Sequence, residues 1–219
     1  LEFRRVLFRS PAVESLGYLK PTQSFLTFCN RYEIPAILYF RNCTIPSKKI
    51  NHLINSGNYQ LGFHAENTMN IDTFKCELAI FEQKLGKKVK TFTKHGSGKL
   101  KLGKYHYAPF EPEKYKVWAH ELNLDYSMGN GITNNLEDLF AKNNFFENMF
   151  WLEHPYRKEP LTNINDIVVA AQSRNICLVI HPANFYTFKE VRSDLEKMIL
   201  LSKELNVKWL REITQENNA

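Results

Sequence analysis

The chain has 219 residues, 43% of them hydrophobic, enough for one sizeable core in a single domain. Its formal charge is +6, but three arginines and one glutamate within residues 1–10 leave residues 11–219 at +4. That mild excess carries no basic stripe or nucleic-acid motif, so no nucleic acid partner is expected, while an anionic glycan is compatible with it. No stretch approaches the roughly 18 uninterrupted apolar residues of a membrane helix, so no membrane segment is expected in this chain.

Residues 1–10, LEFRRVLFRS, match an in-frame translation of a common sequencing-adapter oligonucleotide, CTG GAG TTC AGA CGT GTG CTC TTC CGA TCT. They are read as a translation scar and set aside from fold reasoning. The domain is then residues 11–219, and the native N-terminus is expected to lie upstream. The four cysteines, Cys29, Cys43, Cys76 and Cys177, match no zinc or redox spacing. Cys29, Cys76 and Cys177 fall among apolar positions and read as core thiols, which fits a reducing compartment.

Along the chain, Phe25, Phe28, Cys29 and Tyr32 give the helical period after Pro21. Residues 34–40 read as a buried strand, and Pro46 opens a helix with Ile50, Leu53 and Ile54 on one face, ended by Ser56-Gly57. Residues 59–63 are the next strand. Asn70 caps a helix bearing Phe74, Leu78, Phe81 and Leu85, which Gly86 ends. A strand over 89–93 precedes a helix starting near Pro112, with Tyr115, Trp118, Ala119 and Leu122 on one stripe. Residues 124–128 form a short strand closed by Gly129-Asn130-Gly131, and 145–152 another. A helix over 166–171, a strand over 176–180, a long helix from Lys189 and a last strand over 207–210 complete the series. Such alternation predicts parallel strands joined by crossovers, in an open sheet or a closed barrel; the Gly-rich loop of a dinucleotide-binding fold is absent.

Three of the seven histidines fall at strand ends: His64, His95 and His181. In a parallel barrel these positions face one rim, where such enzymes assemble their sites. Histidine is the commonest metal ligand and the commonest acid–base group near neutral pH, although a strand-end histidine can also serve only the backbone. Glu66 lies two residues beyond His64. After the His95 strand, Lys99, Lys101, Lys104, Tyr105, His106 and Tyr107 form a basic, aromatic loop able to stack on a sugar or to lie solvated. Asp125 is a candidate rim carboxylate; His154 reads as part of a surface ion pair with Glu153 and Arg157, and His52 and His120 as helix-surface residues.

The local strings carry a resemblance. Tyr59-Gln60-Leu61-Gly62-Phe63-His64-Ala65-Glu66 resembles the EIGxH strand of the polysaccharide deacetylase (NodB-like, carbohydrate esterase 4-type) superfamily. Lys94-His95-Gly96-Ser97 resembles the HGS segment of a divergent branch, and Ile180-His181-Pro182 the family's late histidine motif. Their order matches across residues 34–184. The resemblance implies a distorted (β/α)7-type α/β barrel that hydrolyses non-peptide carbon–nitrogen bonds or esters of an acetylated carbohydrate. It implies a divalent metal ion, zinc or a neighbouring transition metal, held by His64; Glu66 or His95 are the candidates in this chain to complete the set. His181 would be the catalytic acid, with Lys94, Ser97 and Tyr105 binding substrate.

Two departures shape the remaining expectations. Thr68 stands where the family's metal motif places a second histidine. No aspartate pair precedes Ile34, so the first strand, which carries that pair in the family, is expected to be missing. A barrel without it would expose two sheet edges, and the chain is expected to fold poorly and lack activity. A catalytically silent, glycan-binding or scaffold barrel is the alternative reading.

Overall fold

The structure is a computed structural model that describes residues 2–4, 19–94, 106–124, 126–132, 141–142, 145–154, 157, 163–172 and 178–207. His95, Ser97, Tyr105, Asp125, Cys177 and most of the strand expected at 207–210 lie outside these residues.

The elements in chain order are β1 (Glu2–Arg4), α1 (Leu19–Arg31), β2 (Ala36–Phe40), α2 (Lys48–Asn55), β3 (Tyr59–Ala65), α3 (Ile71–Leu85), β4 (Thr91–Lys94), α4 (Pro112–Glu121), β5 (Tyr126–Ile132), β6 (Ala141–Lys142), β7 (Phe145–Trp151), α5 (Ile164–Ala170), β8 (Leu178–Ile180), α6 (Pro182–Thr187) and α7 (Lys189–Glu204). This is an α/β architecture. The sheet runs β5-β4-β3-β2-β1-β8-β7-β6, parallel throughout except for the β6–β7 pair, and β5 also pairs with β7.

Local chemistry explains most boundaries. The Ser47 side chain accepts from Ile50 N at the start of α2. Asn70 and Thr73 exchange side-chain and backbone hydrogen bonds at the start of α3, a capping box with Thr73 in the third position. Gly86 ends α3 at φ 75°, a left-handed conformation that costs glycine nothing. Strand β5 runs on through Gly129-Asn130-Gly131, where the sequence suggested a stop. Its pairing with β7 shifts register between Met128 and Gly131, the kind of irregularity that glycine accommodates within a strand.

The expectation of a missing first strand is corrected at the level of the backbone. Residues 2–4 form β1, parallel to β2 through Glu2–Ile37, Phe3–Leu38 and Arg4–Tyr39 and to β8 through Glu2–Val179 and Phe3–Ile180. A ladder needs only main-chain N–H and C=O groups, so residues 2–4 can join both edges whatever their side chains. They bring no aspartate with them.

The strands have two buried faces. Ala36, Leu38, Phe40, Leu61, Phe63, Ala65, Phe92, Leu178 and Ile180 join the main core against the helices. Phe63 packs on Phe74 and Phe81 of α3, and Phe92 on Phe74 and on Tyr115 of α4. Ile37, Tyr39 and Val179 are as buried but fall outside that cluster, as the period-2 alternation of strands requires. On this second face Tyr39 reaches across β3 to Thr91 of β4, Oη to Oγ1 2.8 Å. Gly62 lies beneath: a Cβ there would stand 2.4 Å from the Tyr39 ring. Among the cysteines, Cys29 is buried, whereas Cys76 is exposed on α3 rather than in the core.

Candidate functional site

The C-terminal ends of the parallel strands gather the polar residues. Leu38 pairs with Leu61 and with Phe3, and Phe3 pairs with Ile180, so Leu61 and Ile180 share one row. His64 and His181 follow that row by three and one residues, at the same end and on the same face of the sheet. Both are buried. His64 lies within β3 rather than after it, because the β3–β4 ladder continues through His64–Thr93 and Ala65–Lys94.

The site beside His181 is an acid–base pair. The Nδ1 of His181 lies 2.9 Å from Oε1 of Glu153, whose side chain is 1% exposed. A carboxylate only accepts, so Nδ1 carries the proton in this contact and Nε2 is the ring's acid–base atom. The backbone N–H of His181 donates to the same Oε1 at 2.5 Å, and Asn184 Nδ2 lies 3.5 Å from it. Trp151 stacks on the imidazole, with centroids 5.3 Å apart and planes 20° from parallel. Strand alternation accounts for the arrangement: Trp151 and Glu153 share a face, while Leu152 turns to the core. Pro182 at the first turn of α6 follows directly, so His181 ends a strand and precedes a helix.

Glu153 was read from sequence as one member of a surface ion pair. It is instead the buried partner of His181. His154 and Arg157 do form ion pairs, with Asp194 of α7, at 2.8 and 2.6 Å. The period-2 spacing of Trp151 and Glu153 at the end of an apolar strand was the signal that could have found the carboxylate.

The ends of β2 to β4 are different. Arg41, 2% exposed, forms an ion pair with Glu66. Lys94, also buried, donates to the Tyr107 carbonyl and lies 3.4 Å from His106 Nε2. Burial lowers its ammonium to about 8 despite the nearby Glu77, Glu66 and Glu111 carboxylates. Burial raises Glu66 above the usual carboxylate range even with Arg41 and Lys94 beside it. Glu77, accepting from the backbone N–H groups of Glu66 and Asn67, is pushed up by burial to about 7. Thr68 is buried, its hydroxyl 3.3 Å from Tyr115 Oη.

The described donors do not fit a divalent cation. Among the described residues no group of three His, Cys, Asp or Glu side chains is placed to hold a metal. The carboxylate nearest to His64 in sequence is engaged by Arg41, with the Lys94 ammonium close enough to stabilise its charge. Two internal cations therefore border the position where the sequence suggested a metal.

No protein-family model and no curated protein matches the chain. Solved structures do. A family 4 carbohydrate esterase pseudoenzyme from Bacillus anthracis aligns at TM-score 0.50 and 12% identity, over 95% of this chain and 61% of that one. The chain thus spans about three fifths of that structure. A family 4 carbohydrate esterase from Streptomyces lividans, in complex with acetate, aligns at TM-score 0.46 and 9% identity over 84% and 82%. The family 4 esterase domain of a multidomain xylanase from the hindgut metagenome of Trinervitermes trinervoides aligns at 0.47 and 14% over 100% and 91%. The chain has the fold of the family 4 carbohydrate esterases.

Proposed function

We propose that the protein is a hydrolase of this fold that removes acetyl groups from an N- or O-acetylated sugar or polysaccharide. The observation that carries the reading is the buried Glu153–His181 pair at the strand ends. In this reading the β5–β7 pairing closes the strands into a (β/α)7-type barrel whose rim is the site. Water adds to the acetyl carbonyl carbon, the bond to the sugar nitrogen or oxygen breaks, and His181 passes a proton from Nε2 to that leaving atom, so that acetate is released. Glu153 keeps the ring in the required tautomer and stabilises the imidazolium, and Trp151 limits its rotation. Ser97 and Tyr105 are proposed to contact substrate; the sequence also suggested Lys94, which is 1% exposed and donates to the Tyr107 carbonyl instead. The sequence also suggested zinc or a neighbouring metal at His64, Glu66 and His95; with Glu66 engaged by Arg41, no step of the proposal passes through a metal.

One observation favours a second reading, a catalytically silent glycan-binding barrel. The Arg41–Glu66 pair and Lys94 fill the β2–β4 side with the protein's own charges. A neighbour of this fold is described as a pseudoenzyme. The two readings separate on acetate release from chitin oligosaccharides and acetylated xylan. Release that is lost in His181→Ala, with melting unchanged, supports the hydrolase. Saturable oligosaccharide binding without any release supports the silent barrel.

A further inference from the structure

The segment that carries Trp151 and Glu153 is fastened from outside the site. Arg157, with a side chain 4% exposed, donates from Nη2 to the Leu152 carbonyl and to Asp194 Oδ2 at 2.6 Å. Its Nε lies 3.4 Å from the Trp151 carbonyl, and its guanidinium lies over the Phe150 ring at 5.6 Å from the centroid. The same Asp194 oxygen lies 2.8 Å from Nε2 of His154. The carbonyl before Glu153 and the side chain after it are thus both tied, directly or through Arg157, to one carboxylate on α7. On the other side, Leu152 N donates to Val179 O at 3.0 Å, which sets this segment against β8 and so against His181.

We propose that Arg157 and Asp194 are positioning residues for the Glu153–His181 pair: they fix the Trp151–Glu153 backbone so that the carboxylate meets Nδ1 and the indole lies on the ring. The inference rests on the hydrolase reading of that pair. A planar guanidinium suits the task because it reaches two carbonyls and a carboxylate together, which an ammonium on a flexible stem cannot do with fixed geometry. Glu153 has little tolerance for displacement. Its Oε1 takes both His181 contacts, and its Oε2 is buried with no hydrogen-bond partner among the described residues.

The test uses the full chain with Asp194→Asn, Arg157→Lys and, as a reference, Glu153→Gln. Three quantities are read: thermal melting, kcat and KM for release of acetate from chitin oligosaccharides, and the downfield proton resonance of His181 Nδ1–H, assigned by its loss in His181→Gln. Asp194→Asn and Arg157→Lys are expected to lower kcat on the order of 10- to 100-fold, the scale of a misplaced reacting group, with KM unchanged. The resonance should broaden or shift as it does in Glu153→Gln, and melting should stay near that of the parent in Arg157→Lys, which keeps a cation beside Asp194. Arg157→Lys keeps the charge opposite Asp194 while losing the fork, so it remains informative if Asp194→Asn folds poorly. A resonance altered by Glu153→Gln but untouched by both other variants, with kcat intact, overturns the positioning role and leaves the hydrolase reading standing. A resonance that ignores Glu153→Gln overturns the pair itself, and the inference with it.

Discussion

The two groups of strand ends use buried ions in opposite ways. At the ends of β7 and β8, Glu153 faces an imidazole whose second nitrogen can exchange a proton with a ligand. At the ends of β2 and β3, Glu66 faces Arg41, whose charge is permanent near neutral pH, with Lys94 of β4 nearby. The first pairing couples a carboxylate to something that can change its state. The second satisfies a carboxylate and leaves it with no further chemistry. Buried charge at strand ends is therefore a poor marker of catalysis until the partner is known.

The largest effect is expected where that contrast is broken directly. Arg41→Met should leave the part-buried Glu66 without its counter-ion and cost about 3–5 kcal/mol, as removal of one partner from a buried ion pair does. Chemical denaturation measures it, and a double variant with Glu66→Gln should recover much of the loss. A cost for Arg41→Met that is indifferent to residue 66 would show that the pair is not what holds these strand ends.

Next comes Gly62→Ala. The added methyl would meet the Tyr39 ring at 2.4 Å, too close for the ring to remain hydrogen-bonded to Thr91. A loss of about 1–3 kcal/mol is expected, the usual range for overpacking. Tyr39→Phe in the same background should not restore it, because the clash is with ring carbons. Unchanged melting of Gly62→Ala would mean that the two strands can separate at no cost.

A smaller effect is expected from Glu77. Its carboxyl ionises near 7 in the fold against 4.5 when exposed, so the folded chain holds more protons than the unfolded chain between these values. Stability should then fall as pH rises through that window and level off above it, with a slope of at most about 1.4 kcal/mol per pH unit. Glu77→Gln keeps an acceptor for the Glu66 and Asn67 N–H groups and should flatten the profile. An identical slope in the variant would assign the pH dependence elsewhere.

The smallest expected response is to zinc. With Arg41 and Lys94 beside Glu66, calorimetric titration of the chain should show no tight stoichiometric site. A tight site that disappears in His64→Ala would restore the metal reading and reverse the contrast between the two groups of strand ends.

How much of this could be read from sequence depended on the range of the interaction. The α3 boundaries were legible because Asn70 and Gly86 act on their own neighbours. The strand-end placing of His64 and His181 was legible because alternation and turn residues mark strand ends. The partners of Glu66 and Glu153 were not. Arg41 lies one crossover before Glu66, and His181 lies 28 residues after Glu153, so each pair depends on strand register. The cluster of charges at 153, 154 and 157 suggested mutual pairing, whereas Asp194, supplied by a distant helix, takes two of them. Helix α6 was absent from the sequence reading because six residues are too few to display a period. Strand β1 was not anticipated because ladder pairing uses main-chain groups, which residues of any sequence carry.

The Tyr39–Thr91 bridge over Gly62 gives this face of the sheet a floor. Gly62 sits two residues before His64 on the same side of β3, so the phenol ring lies just below the histidine, and Tyr39 and Thr91 are both fully buried. That ring stands between His64 and the N-terminal half of this face. If the protein acts on a glycan as proposed, a long chain would lie across the strand ends here rather than pass between β2 and β4 along this face. On that proposal, the length of the glycan should matter little to its access, and the bulk of substituents next to the reacting group should matter a good deal.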